Sequence, residues 1–155
     1  MRENINIQLQ LGEIDISKMK FNPRSRDDIH QLLMGLHHLY VNDGYRAKIF
    51  QILQKLTPEK VDDQLGAPGM NRWRIFVLGM LRLNINGDYD RLLDLANYHS
   101  LLRQMLGHGK FEESIYALQT LKDNVALFTE EILEEVNQVI VEAGLKQERK
   151  LKKKQ

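Results

Sequence analysis

Apolar and polar residues alternate at the start of the chain, and the spacing then changes to that of helices. Ile5, Ile7, Leu9 and Leu11 take every second position, Gly12-Glu13 interrupts, and Ile14 and Ile16 resume. Period two predicts extended chain, with the Gly-Glu pair suited to a tight turn between two short runs. Two short strands alone are marginal in water, so this arm is expected to lie on helices or on a partner.

Helical spacing begins after Pro23. Ser25 is a candidate N-cap, and Asp27 and Asp28 fall in the first turn, where the helix dipole favours carboxylates. Ile29, Leu32, Leu33, Leu36, Leu39 and Tyr40 then share one side of a helix, which Asn42-Asp43-Gly44 stops. A second helix is expected from about Tyr45 to Leu56, ended by Thr57-Pro58. Leu65-Gly66-Ala67-Pro68-Gly69 is the clearest loop signal in the chain. After it, Trp73 to Leu83 is apolar nearly all round, the mark of a central helix. Asn86-Gly87 predicts a turn. Two short helices follow, about Asp88–Asn97 and His99–Leu106, the second closed by Gly107 and Gly109. The last two are expected over Glu113–Phe128 and Thr129–Ala143, with Thr129 as N-cap and Gly144 as terminator.

These elements define an all-α fold, a bundle of about six to eight helices with a helix-turn-helix-like segment and a short extended N-terminal arm. The expected core is Leu32, Leu36, Ile49, Leu53, Trp73, Phe76, Val77, Met80, Leu92, Leu95, Leu102, Leu106, Leu118, Leu121, Ile132 and Val136. Residues 1–24 form the arm, 25–145 the helical domain, and 146–155 a basic tail expected to be disordered.

Composition narrows the function. No apolar run approaches the roughly 20 residues of a membrane span, and Met1-Arg2-Glu3 leads into no apolar leader. There is no cysteine among the 155 residues, which excludes disulfides, thiolate metal sites and cysteine nucleophiles. A cytoplasmic location is expected, since a chain without cysteine fits a reducing compartment. The net charge of +1 conceals segregation. Residues 1–66 are neutral, with 9 basic and 9 acidic side chains. Residues 67–111 carry 6 basic and 3 acidic side chains, and 112–145 carry 1 basic and 8 acidic. Residues 146–155 carry 6 basic and 1 acidic. The middle block and the tail can each face a polyanion.

Catalytic chemistry finds little support. His30 and His37 are seven apart and can share a helix face, but no third ligand stands at metal spacing, so no metal site is expected. Gly107-His108-Gly109 lacks a phosphate-loop lysine pattern, and its glycines are better read as a helix end. The acidic pairs Asp27-Asp28, Asp62-Asp63, Glu112-Glu113, Glu130-Glu131 and Glu134-Glu135 sit at helix starts or on polar faces, where they cap and solvate. No cofactor and no small-molecule substrate are indicated. The basic residues are more informative: Arg72, Arg74 and Arg82 lie on or beside the central helix, Arg91, His99 and Arg103 on the short pair, and Lys110 follows. Short helices joined by a brief turn suit DNA docking, with Arg and His near the second helix available to phosphates or base edges.

Several stretches resemble the N-terminal region of DDE-type insertion-sequence transposases. They are Gly66-Ala67-Pro68-Gly69-Met70-Asn71-Arg72-Trp73, the helix Ile75–Leu83, and Tyr89-Asp90-Arg91-Leu92-Leu93-Asp94-Leu95-Ala96-Asn97. Leu102-Arg103-Gln104-Met105-Leu106-Gly107-His108 and Leu118-Gln119-Thr120-Leu121-Lys122-Asp123-Asn124-Val125 continue the series. Each motif is short, and their order over residues 25–145 carries the resemblance. It implies a helical region that precedes an RNase H-like domain, whose three carboxylates bind two metal ions for strand cleavage and transfer. No residue of this chain matches those carboxylates, so a piece or a short form of such a transposase is expected, with no catalytic residue of its own.

The function expected from resemblance and charge together is binding of double-stranded DNA at the terminal inverted repeats of an insertion sequence. The candidate contacts are Arg72, Arg74, Arg82, Arg91, His99, Arg103 and Lys110, with Lys146, Arg149, Lys150, Lys152, Lys153 and Lys154 adding sequence-independent attraction. The alternative is a helical protein-interaction or homodimerisation module without specific DNA recognition, because the acidic last helices repel DNA and the alternating arm can add a strand to a partner.

Overall fold

The computed structural model describes residues 15–56, 70–109 and 115–154, with side chains described as far as Gly144. The alternation from Ile5 to Leu11, the Gly66–Gly69 loop, Lys110 and the tail side chains lie outside the described residues. Seven α-helices are present among those described: α1 (Asp28–Val41), α2 (Asp43–Leu53), α3 (Arg72–Asn84), α4 (Tyr89–Tyr98), α5 (Ser100–Met105), α6 (Leu118–Val125) and α7 (Glu130–Lys154). Short 3-10 turns cover Ile16–Lys18 and Gln54–Leu56. There is no strand among the described residues. The fold is an all-helical bundle.

Side-chain caps explain most helix starts. Asp27 accepts from the Ile29 amide and opens α1, two residues beyond the expected Ser25. Asn42 ends α1 and at once opens α2 by accepting from the Tyr45 amide at 3.1 Å. Asn71 does the same for α3 through the Arg74 amide at 2.9 Å. Asp88 opens α4 through the amides of Asp90 and Arg91. Thr129 starts α7, its hydroxyl accepting from the Ile132 amide at 3.4 Å. Each cap satisfies an amide that the helix itself leaves unpaired.

α3 is the hub. Trp73, Ile75, Phe76, Val77, Leu78, Gly79 and Leu81 on it are all buried, and α1, α2, α4 and α6 pack around it. α7 lies on α2, and α5 on α1 and α4. An aromatic chain runs through the centre, from Tyr40 to Trp73 (ring centroids 4.9 Å), on to Phe76 (5.4 Å) and to Phe128 (6.3 Å). Most of the expected core is buried, but Leu32, Met80, Leu95 and Leu118 are only half-buried. Met80 instead lines a groove of about 360 Å³ together with residues of α1 and α7.

Further expectations fail at element ends, and α6 stops at Val125 instead of Phe128. Ile16 does not continue an extended run. Asp15 accepts from the amide and hydroxyl of Ser17 and winds Ile16–Lys18 into a 3-10 turn. No helix covers 115–117, because the Asn97 side chain holds the Tyr116 backbone by both its N–H (2.6 Å) and its C=O (3.1 Å). Gly144 does not end α7, whose backbone stays helical to Lys154 through the stretch expected to be a disordered tail. A helix flanked by good formers absorbs one glycine at a cost of about 1 kcal/mol.

Two helical glycines are expected to respond oppositely to alanine. A Cβ at Gly35 meets nothing within 4 Å, whereas one at Gly79 falls 2.8 Å from the Phe128 ring. Gly35→Ala should stabilise by about 0.5–1 kcal/mol through lost chain entropy. Gly79→Ala should destabilise by about 1–3 kcal/mol, since Phe128 must move. Urea unfolding of both variants checks this, and a Gly79→Ala protein as stable as wild type would exclude the close approach of α3 to Phe128.

Candidate nucleic-acid interface

The short helices α4 and α5 are joined by a single residue. His99 ends α4 and opens α5, its Nδ1 accepting from the Leu102 amide at 3.1 Å. Its Nε2 stands 3.7 Å from the Asp27 carboxylate, which links this junction to the start of α1. α5 is six residues long. Leu102 and Met105 on it are buried, Leu101, Arg103 and Gln104 are half-buried, and only Ser100 is exposed. A helix that reads a groove needs an outward row of side chains, and α5 has little of one. The outward residues of the pair are on α4: Asp90, Arg91, Asp94 and Tyr98 are exposed.

The end of α5 is closed by Gly107, whose φ of +91° is left-handed. The amide of His108 donates to Arg103 C=O and that of Gly107 to Gln104 C=O, both at 2.9 Å. These are the paired bonds of a glycine-terminated helix. His108 is buried and hydrogen-bonds with the Tyr116 hydroxyl at 2.6 Å. Gly107 ends this helix, as expected.

The arginines of the middle block divide into two kinds. Arg74 Nε donates to Leu106 C=O at 2.8 Å, and Arg103 donates to Ala96 C=O at 3.1 Å. Both guanidinium groups sit on carbonyls at helix ends, where a cation is favoured. Arg82 donates to Gly87 C=O at 3.4 Å and lies over the Tyr89 ring at 4.2 Å. Arg72 is half-buried in the first turn of α3. Arg91 is exposed and forms no ion pair with a described residue. Among the described middle-block candidates, Arg91 is thus the one that is exposed. Lys110 and the side chains from Lys146 to Lys154 lie outside the described residues.

A second group of cations escaped sequence reasoning. Lys18, Lys20, Arg24 and Arg26 are all exposed on the segment leading into α1. Acidic residues elsewhere in 1–66 cancel their charge, and only the local run from Lys18 to Arg26 shows it. His30 and His37 do share a face, as their spacing predicts, but they serve this segment. The Asn22 amide donates to His30 Nε2 at 3.0 Å, and His37 Nε2 donates to Ile16 C=O at 2.8 Å. The Ser17 hydroxyl, aided by the Ser17 amide and Lys18, holds the nearby Asp15 carboxyl below its ordinary pKa. Burial pushes the Tyr40 phenol above its own.

Carboxylates lie where helix starts put them. Glu130 and Glu131 occupy the first turn of α7 and are exposed with Glu134. Glu135 and Glu142 pair with Lys55 and Lys48 and so tie α7 to α2 and the 3-10 turn that follows it. No group of three or more His, Asp or Glu residues placed to hold a metal ion occurs among the described residues. No helix among them is long and apolar enough to cross a membrane. No family model, curated protein or solved structure matches the chain.

Arg103→Ala is expected to cost about 1–2 kcal/mol of stability, because Ala96 C=O loses a charged donor. Arg91→Ala should stay within about 0.5 kcal/mol of wild type. Denaturant midpoints of the two variants decide the matter. An Arg103→Ala protein with unchanged stability would refute its role as a helix-end staple.

Proposed function

We propose that this chain is the DNA-binding and assembly region of a DDE-type insertion-sequence transposase, acting on the duplex ends of the element in the cytoplasm and carrying no catalytic residue of its own. One observation supports this beyond motif order: α3, α4 and α5, which carry stretches of the resemblance, meet at one junction. Trp73 and Arg74 donate to the last carbonyls of α5, Met105 and Leu106, while Arg103 of α5 donates back to α4. The helices α3, α4 and α5 are therefore interlocked through backbone carbonyls, which holds the short pair in a fixed place on the central helix. Exposed Arg91 and the basic residues from Lys146 to Lys154 supply the means of phosphate attraction.

A second role, homodimerisation or protein docking, is favoured by the exposed Glu130, Glu131 and Glu134 at the head of α7, which repel a polyanion. A dimer by light scattering that ignores DNA at low salt supports that role instead.

The direct test is a salt titration of binding to terminal-repeat and random duplexes, with and without residues 146–155. Each phosphate contact adds a slope of about −0.9 in log affinity against log salt. Removing the tail should weaken binding to both duplexes alike and flatten the slope. A tail-less chain with no preference for the repeat at low salt would exclude specific recognition by the bundle. Incubation of the chain with repeat DNA and magnesium or manganese should give no nicking. Nicking abolished by one Asp or Glu substitution would overturn the non-catalytic assignment.

A further inference from the structure

The segment from Lys18 to Arg26 holds Lys18, Lys20, Arg24 and Arg26 without an acidic residue between them. It is fastened at both ends and in the middle. Ile16 and Met19 are buried, and Ile16 C=O accepts from His37. Phe21 packs on His37 and His30 with ring centroids at 4.9 and 5.5 Å, and the neighbouring Asn22 amide donates to His30. At the far end Asp27 caps α1 and faces His99 of the α4–α5 junction. The segment is a strap laid along α1, ending beside the short helix pair.

Its cations are available. Lys18 meets Asp15 only at 3.9 Å and is 84% exposed. Lys20, Arg24 and Arg26 form no ion pair with a described residue. Among the described residues, the acidic neighbours in sequence are Asp15, Asp27 and Asp28. Asp15 and Asp27 are committed to amide caps, and Asp28 sits exposed in the first turn of α1. Arg74, Arg82 and Arg103 are by contrast half-buried and engaged with backbone carbonyls.

We propose that this strap is a contact for the phosphate backbone of duplex DNA, additional to α4 and the tail. It rests on the DNA-binding function proposed above. The chemistry of the outward side chains favours DNA over a protein partner. They are Ser17, Lys18, Lys20, Asn22, Arg24 and Arg26, with Pro23 at the bend, while the larger apolar residues Ile16, Met19 and Phe21 turn inward. Phosphate contacts are made by such cationic, hydroxyl and amide groups. Protein interfaces need apolar or aromatic anchors, and the strap presents none outward. Because the strap is already pinned to α1, binding does not have to order it, which removes part of the usual entropic cost.

The test replaces the four cations together, Lys18→Gln, Lys20→Gln, Arg24→Gln and Arg26→Gln, in the full chain. All four are exposed, so the variant should keep the wild-type thermal midpoint. Affinity for a short random duplex is then measured against salt for both proteins. The expected result is at least a tenfold loss at low salt and a slope shallower by about 2–4, at about 0.9 per phosphate contact. If wild type binds and the variant binds with the same slope, the strap proposal is overturned while DNA binding stands. If wild type binds no duplex even at low salt, the DNA-binding function itself fails and takes the strap with it. If the substitutions abolish self-association but leave the DNA slope unchanged, the strap serves a second copy of the chain and the proposal is wrong.

Discussion

Two carbonyls at the end of α5 need donors, and the first turn of α3 supplies both. The Trp73 indole donates to Met105 C=O at 2.8 Å inside the core, and Arg74 donates to Leu106 C=O at the same distance. A buried carbonyl without a partner costs about 1–3 kcal/mol, so the two helix ends are bound to one another by necessity. The indole that makes this bond is also the hinge of the aromatic chain from Tyr40 to Phe128. Position and packing thus fall to one residue: Trp73 sets where α5 lies, and α5 sets where α4 and the His99 junction face.

This arrangement divides the cations of the molecule by task. Arginines at positions 74, 82 and 103 act inward, on carbonyls or on an aromatic face, and hold short helices that could not persist alone. Arg91 and the strap cations act outward. A basic block in a sequence therefore overstates the charge that a polyanion can reach. In this bundle the largest described group of reachable cations lies in a segment whose surrounding block is neutral. Histidines make the difference, since His30 and His37 fasten that segment to α1 and His99 receives its end.

The long helix α7 is secured differently. Lys48 and Lys55 of the α2 region reach Glu142 and Glu135 across the surface, over a seam of buried Ile132, Val136, Val139 and Ala143. Exposed pairs of this kind contribute about 0–1 kcal/mol each, so the apolar seam does most of the holding. The pairs matter more for charge: they neutralise part of an acidic face and leave Glu130, Glu131 and Glu134 as its exposed remainder.

Periodicity and cap chemistry by themselves determined the helical class and the placing of the helices within a few residues. Asn42, Asn86-Gly87, Gly107 and Thr129 act through local backbone bonds, which are legible because both partners are near in sequence. The core was legible where apolar spacing was strict, as at Ile49, Leu53, Phe76 and Val136. What only the tertiary structure decided depends on partners far along the chain. Asn97 holds the Tyr116 backbone from 19 positions away, and Arg74 donates to a helix-end carbonyl 32 positions on. The strap shows the converse. Its charges are plain in the sequence, but their availability rests on histidines whose roles appear only once α1 is folded beneath them. Local bonds are written in neighbouring residues, whereas the direction in which a long polar side chain points is set by whichever distant backbone group is left unpaired.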